Sequence, residues 1–170
     1  MKRSELKFLP KFFDRYILLV DETAELIGEF EATSDDFEIV KEKLLKLKDY
    51  RYQPDKWTPK DILQHVIDNE RIQCYRALAF ARGDQYVLPG YDENLYANNT
   101  NANDRTIEDL LKEFKVVRNS SIILFKNFRD DQLHHKGICF EVEVTPLALG
   151  FKIIGHARHH LKVLEERYFI

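Results

Sequence analysis

Apolar residues recur at three- and four-residue spacing in four stretches of the chain, which is the period of a helix that buries one face. The first stretch opens at Thr33 and Ser34 ahead of Asp35 and Asp36, a helix N-terminal signature, and carries Phe37, Val40, Leu44 and Leu47 to about Lys48. The second has the strongest start. Thr58 is placed to cap, Pro59 to occupy the first helical position and Asp61 to complete a reciprocal capping pattern. Ile62, Leu63, Val66, Ile67, Cys74, Leu78 and Ala81 then carry it to about residue 82, where Gly83 ends it. Asp104 or Thr106 caps the third, which runs through Leu110, Leu111, Phe114, Val117, Ile122, Leu124, Phe125 and Phe128 to about Arg129. Thr145-Pro146 repeats the threonine-proline device and opens the fourth, over residues 146 to about 168, with Leu149, Ile153, Ala157, Leu161 and Leu164 as its stripe.

Between these stretches the pattern is less regular. Residues 1–33 are an aromatic-rich lead-in, including F-F-D-R-Y-I-L-L-V, whose period separates neither helix nor strand. It offers apolar surface either to a second copy of the chain or to the open end of a bundle. Residues 85–104 form a long polar connection with a Pro89-Gly90 turn and five asparagines, a candidate site rim offering Tyr86, Tyr91 and Tyr96, or simply a crossover. Ile138, Phe140, Val142 and Val144 alternate, predicting one short extended segment with these four on one side. The expectation is an all-α four-helix bundle forming a single domain over residues 1–170, with sites built from inward side chains on facing helices.

At 170 residues the chain is long enough for a substantial core, and 44% hydrophobic with 32% charged residues fits a globular protein. A net charge of -3 argues against a nucleic-acid binder. No stretch approaches the ~18 uncharged apolar residues of a membrane span, and the charged N-terminus lacks the apolar core of a signal peptide, so a cytoplasmic location is expected. Cys74 and Cys139 are far apart in apolar surroundings and are expected to be reduced, buried thiols. The chain contains no G-x-x-x-x-G-K-[ST], G-x-G-x-x-G or G-x-S-x-G motif, which removes support for the enzyme classes built on those loops.

The candidate chemistry is histidine. Three of six histidines fall in Gly155-His156-Ala157-Arg158-His159-His160. On a helix His156 and His160, four apart, present both imidazoles to one point, which is metal-ligand spacing. The bland alternative is a pair of hydrogen-bonded core histidines. His159 falls with Lys152, Lys162 and Glu166 on the polar face, as a solvent-facing group or one that supports a ligand from behind. His65, in the second turn of the second helix, is either a satisfied core histidine or a site group, with Asp68 within reach to orient it. Glu70 and Tyr91 are further candidates to reach a central cavity. His134 and His135, adjacent in a polar loop, are poorly arranged to chelate.

The stretch W-T-P-K-D-I-L-Q-H-V-I-D-N-E-R-I-Q-C-Y-R-A-L-A-F-A-R-G-D, followed by L-P-G-Y-D-E-N and G-H-A-R-H-H-L-K-V-L-E-E-R-Y, closely resembles the DinB/YfiT-like superfamily, four-helix-bundle proteins unrelated to the polymerase that shares the DinB name. The resemblance covers most of the chain and is strongest in the second and fourth helices. It implies a divalent transition metal, usually zinc or nickel, held by His65, His156 and His160. It also implies a metal-dependent thiol transferase or hydrolase acting on a small molecule, including low-molecular-weight thiols, and a possible homodimer. The contrasting expectation is a non-catalytic stress-associated ligand-binding or dimerisation module whose metal site is vestigial.

Overall fold

The computed structural model describes residues 1–169. In chain order the helices are α1 (Asp14–Ile17), α2 (Leu26–Ala32), α3 (Asp36–Ile39), α4 (Lys41–Leu47), α5 (Pro59–Ala81), α6 (Glu93–Asn98), α7 (Ile107–Lys126), α8 (Asp130–Leu133) and α9 (Pro146–Arg167). A short hairpin of β1 (Gly137–Cys139) and β2 (Val142–Val144) precedes α9. Helices α5, α7 and α9 are three rods of a four-helix bundle, and the broken segment α2–α4 supplies the fourth. α5 lies against both α7 and α9, while α1 lies along α9.

The caps read from the sequence hold the three long rods in place. The Thr58 hydroxyl accepts the Asp61 amide at 3.1 Å while the Asp61 carboxylate accepts the Thr58 amide at 2.9 Å. Thr106 and Thr145 accept the amides three residues on, from Asp109 and Ala148. Helix α7 stops at Lys126 rather than Arg129, where the Asn127 side chain donates to the Ile123 carbonyl at 2.7 Å and satisfies one of its final acceptors.

Two expectations are corrected. The first rod does not begin at Thr33 and Ser34. It is already helical at Leu26, and the two hydroxyls bond backwards, Thr33 to the Glu29 carbonyl at 2.8 Å and Ser34 to the Phe30 carbonyl at 2.9 Å, so they finish α2 and mark a break. The second correction concerns residues 138–144. They fold back as an antiparallel hairpin, with Gly137 opposite Val144 and Cys139 opposite Val142. The turn at Phe140 inverts the alternation, so Cys139 and Val144 are buried while Ile138 and Phe140 are exposed. Leu88 bridges to this hairpin, donating to the Ile138 carbonyl and accepting from the Phe140 amide, which fixes the start of the long connection.

The core has two apolar parts with a polar belt between them. Phe30, Phe80, Phe125 and Phe151 belong to one part; Phe37, Leu63, Phe114 and Leu164 belong to the other. Each rod changes from one part to the other through buried polar residues: Thr33 and Ser34, then Asn69, Glu70 and Gln73, then Arg118 and Ser121, then His156. Buried polar groups persist only where they find partners or a ligand. The belt is therefore where function is to be sought.

Candidate metal centre

His65 projects from α5, and His156 and His160 from consecutive turns of α9. The two helices pack directly, and the three rings meet with centroids 4.9, 4.7 and 4.5 Å apart for the pairs 65–156, 65–160 and 156–160. One ring nitrogen from each lies within 4.8 Å of the others, and Nε2 of His65 is 3.0 Å from Nε2 of His156. Trp57 packs on His65 at 4.8 Å, closing one side. Tyr16 of α1 packs edge-on against His156 at 5.1 Å. Gly155 makes that approach possible, because a Cβ there would stand 1.9 Å from the Tyr16 carbonyl oxygen.

Burial, and next the Lys152 cation, push His65 down to about 4. Burial followed by Lys152 lowers His156 well below the ordinary imidazole range, and burial followed by His65 does the same for His160. All three rings are thus neutral at pH 7, the form whose lone pair binds a metal. Nδ1 of His160 is buried without a hydrogen-bond partner. Three convergent neutral imidazoles with an unsatisfied nitrogen among them fit a borderline transition ion such as zinc or nickel, for which three such ligands would leave a coordination position open.

A cavity of about 240 Å³ opens beside His156. Its polar wall comes from α9 and α5. Lys152, one turn before His156, donates from Nζ to Asn69 Oδ1 at 2.6 Å, and the Asn69 amide donates to the Tyr91 hydroxyl at 2.5 Å. Arg76 lies a further two turns along α5 and donates to the Pro89 carbonyl at 2.7 Å. Glu93, at the first position of α6, is the only carboxylate among the described lining residues, and its Oε2 stands 4.0 Å from His65 Nε2. Burial pushes the Tyr91 phenol up to about 12, so it remains a protonated hydrogen-bonding group.

The other sequence candidates are distributed as follows. Asp68 accepts from Gln64 at 2.9 Å and lies 3.7 Å from Arg71. His159 is half-buried, with Tyr16 at 5.4 Å and His160 at 5.1 Å. Tyr91 lines the cavity, Tyr96 packs on it at 5.1 Å and Tyr86 is exposed. Glu70 does not reach the cavity; it is held by Arg118 of α7 at 2.9 Å. His135 faces the Phe80 carbonyl at 3.2 Å, away from the centre. Lys152, expected on a polar face, is buried, because α1, α2 and α5 enclose the first half of α9. Arg76 and Glu93 were missed. The four-residue step from Lys152 to His156, and the stripe His65, Asn69, Gln73, Arg76 on α5, carried the available signal.

A helical bundle with a tris-imidazole cluster between facing rods defines the class, and the sequence profile of the DinB superfamily matches residues 24–164. The chain belongs to that superfamily. Among solved structures it is similar to YfiT from Bacillus subtilis, described as a probable metal-dependent hydrolase with an unusual four-helix bundle topology. The TM-score is 0.67 at 16% identity, covering 91% of this chain and 84% of the other. No curated protein matches the chain. Among the described residues, no helix is long and apolar enough to cross a membrane.

Proposed function

We propose that the protein is a metal-dependent hydrolase of a small molecule, with zinc or nickel held by His65, His156 and His160. The observation that carries this reading is the convergence of three buried neutral imidazoles within 4.8 Å, one of them with an orphaned nitrogen. Family membership and the likeness to YfiT support it. When bound, the ion would supply Lewis acidity and lower the pKa of a nucleophile, water or thiol, at its open position. Glu93 is placed to accept a proton from a nucleophile seated between its carboxylate and the imidazoles. Trp57 covers the face of His65 and restricts water, and Tyr91 offers a hydroxyl donor to the substrate. Hydrolysis is preferred to thiol transfer because the similar structure, YfiT, is described as a probable metal-dependent hydrolase; the Glu93 carboxylate would serve either nucleophile.

The test is metal content by plasma mass spectrometry of untagged protein purified without chelator, beside His160→Ala, both measured again after zinc or nickel loading. Stoichiometric metal in the wild type and its loss in the variant are expected. Turnover of an ester and amide panel should then fall by about 10²-fold or more in Glu93→Gln with metal content unchanged. Transfer to glutathione or bacillithiol without hydrolysis would shift the reaction class. A wild-type protein that holds no metal even after loading would return the chain to a non-catalytic ligand-binding module.

A further inference from the structure

Four cationic side chains are buried in the described chain: Lys60, Arg76, Arg118 and Lys152. Two have carboxylate partners. Lys60 reaches Asp49 at 3.0 Å and Arg118 reaches Glu70 at 2.9 Å. Lys152, 3% exposed, and Arg76, 5% exposed, have no carboxylate within 4.0 Å among the described residues, and both line the cavity beside His156. Their recorded partners are neutral: Asn69 and the Phe13 and Tyr16 rings for Lys152; Gln73, the Pro89 carbonyl and the Tyr91 ring for Arg76. Burying a cation without a counter-charge costs several kcal/mol, and burial followed by Arg76 lowers the Lys152 amine well below the ordinary lysine range, so an anion seated against the pair would favour its charged form. Glu93, the one carboxylate among the described lining residues, stands on the exposed side toward His65, and Arg15 adds a third basic side chain at the rim.

A second observation marks the same cavity. Phe12 and Phe140 are the only non-glycine residues with positive φ among the described residues, at 68° and 56°, and both line it. They are also 59% and 65% exposed. A bulky residue in the left-handed region costs on the order of 1–3 kcal/mol and persists where surrounding structure or function imposes it. Here two aromatic residues with strained backbone flank the pocket that Lys152 and Arg76 line.

We infer that Lys152 and Arg76 form an anion subsite, and that the small-molecule substrate carries a carboxylate seated against them while its apolar body lies between Phe12, Phe13, Tyr16 and Phe140. The subsite lies one helical turn from His156, so an anchored carboxylate directs the bond to be cleaved toward the imidazoles and Glu93. Asn69 holds the Lys152 ammonium toward the cavity and the Tyr91 hydroxyl beside it. As catalysis, the subsite rests on the metal-centre reading above; as a binding site it stands without the metal.

The probes are benzoate and its neutral counterpart benzamide, titrated calorimetrically into the full chain, zinc-loaded and chelator-treated. In both forms benzoate should bind about tenfold or more tightly than benzamide, the scale of a charge-assisted hydrogen bond. Lys152→Met should abolish that preference, Arg76→Gln should reduce it, and both variants should take up as much zinc as the wild type. Lys152→Met replaces a buried amine that has no carboxylate partner among the described residues with an apolar side chain of similar length, so its melting temperature without ligand should equal or exceed that of the wild type. Equal binding of the two probes, undetectable benzoate binding, or a preference that survives Lys152→Met would overturn the subsite. Benzoate binding that needs zinc and ignores Lys152 would assign the anion to the metal and do the same. Protein that takes up no zinc yet keeps a Lys152-dependent preference would instead sink the hydrolase reading and leave the subsite standing.

Discussion

Replacing Glu70 with leucine should be among the most destabilising single changes in the chain. Its carboxylate receives Arg118 Nε and Nη2, each at 2.9 Å, and the Ser121 hydroxyl at 2.7 Å, all in the belt between the two apolar clusters. Without it, Arg118, which has no exposed surface, keeps only Thr33 at 2.7 Å and the faces of Phe30 and Phe114, 5.3 and 5.0 Å from its guanidinium carbon. Breaking a buried pair from one side costs about 3–5 kcal/mol, because the remaining charge is stranded. For a domain of this size that is a fall in melting temperature of roughly 6–20 °C. The double variant Glu70→Leu with Arg118→Met removes both charges and should recover most of the loss. Urea unfolding with fitted m-values measures all four corners of the cycle. If the single variant stays within about 1 kcal/mol of the wild type, or the double variant is no better than the single, the pair is not the stranded-charge lock described here. Zinc uptake by the double variant should match the wild type, since Glu70 faces α7 and not the cavity.

Gly155→Ala should lower stability by about 1–3 kcal/mol despite alanine's better helix propensity, since the new methyl meets backbone that cannot rotate away, and thermal melting would show a net gain if α1 slides freely. In metal-free protein, the neutral burial of His65 contributes stability that is fully present above pH 6.5 and is lost as pH falls to about 4, roughly 3 kcal/mol for that group alone. Urea unfolding between pH 7 and 4 should therefore slope downward in that window, and His65→Gln should make the slope shallower while His156 and His160, lowered in the same direction, keep the rest; a flat wild-type profile would contradict the assignment. Burial pushes the Cys74 thiol up to about 12 and raises Cys139, so iodoacetamide at pH 8 should modify neither in folded protein and both after unfolding, counted by intact mass. Rapid native alkylation would show that one of them is open to solvent.

The long rods were legible because their ends carry strong local chemistry. The Thr58-Pro59-Lys60-Asp61 and Thr145-Pro146 starts are decided within four residues, and the structure keeps both. The interrupted first rod was not, because a threonine-serine pair can cap a helix from either end, and which carbonyl its hydroxyls choose depends on the Arg118 guanidinium that arrives from α7 to claim Thr33. The hairpin was missed for a similar reason. Alternation specifies faces only while a strand runs straight, and the positive φ at Phe140 is a backbone choice supported by pairing with Leu88, far upstream in the chain.

The site shows the same division between local and long-range information. The four-residue spacing of His156 and His160 was visible directly, whereas His65 gained meaning only through family resemblance, since nothing local says which turn of α5 faces which turn of α9. That alignment also gives Lys152 its character. By pattern it sits with charged residues on a surface helix, yet α1, α2 and α5 close over the first half of α9 and turn an ordinary lysine into a buried cation. Glu93 is the extreme case: it starts a helix of six residues inside an asparagine-rich connection, and its distance from His65 is set by how that connection is anchored. Asn103 accepts from the Thr58 hydroxyl and the Lys60 ammonium and donates to Asp61, so the cap that starts α5 also fastens the far end of the connection. The residues that start the helix carrying His65 thereby help determine where the one cavity carboxylate stands. Asn103→Ala removes the two side-chain bonds of the tether and leaves the Lys60 bond to the backbone carbonyl, so it should loosen α6, and in metal-loaded protein it should lower turnover more than it lowers metal content; equal loss of both would mean that the connection supports the histidines and not Glu93.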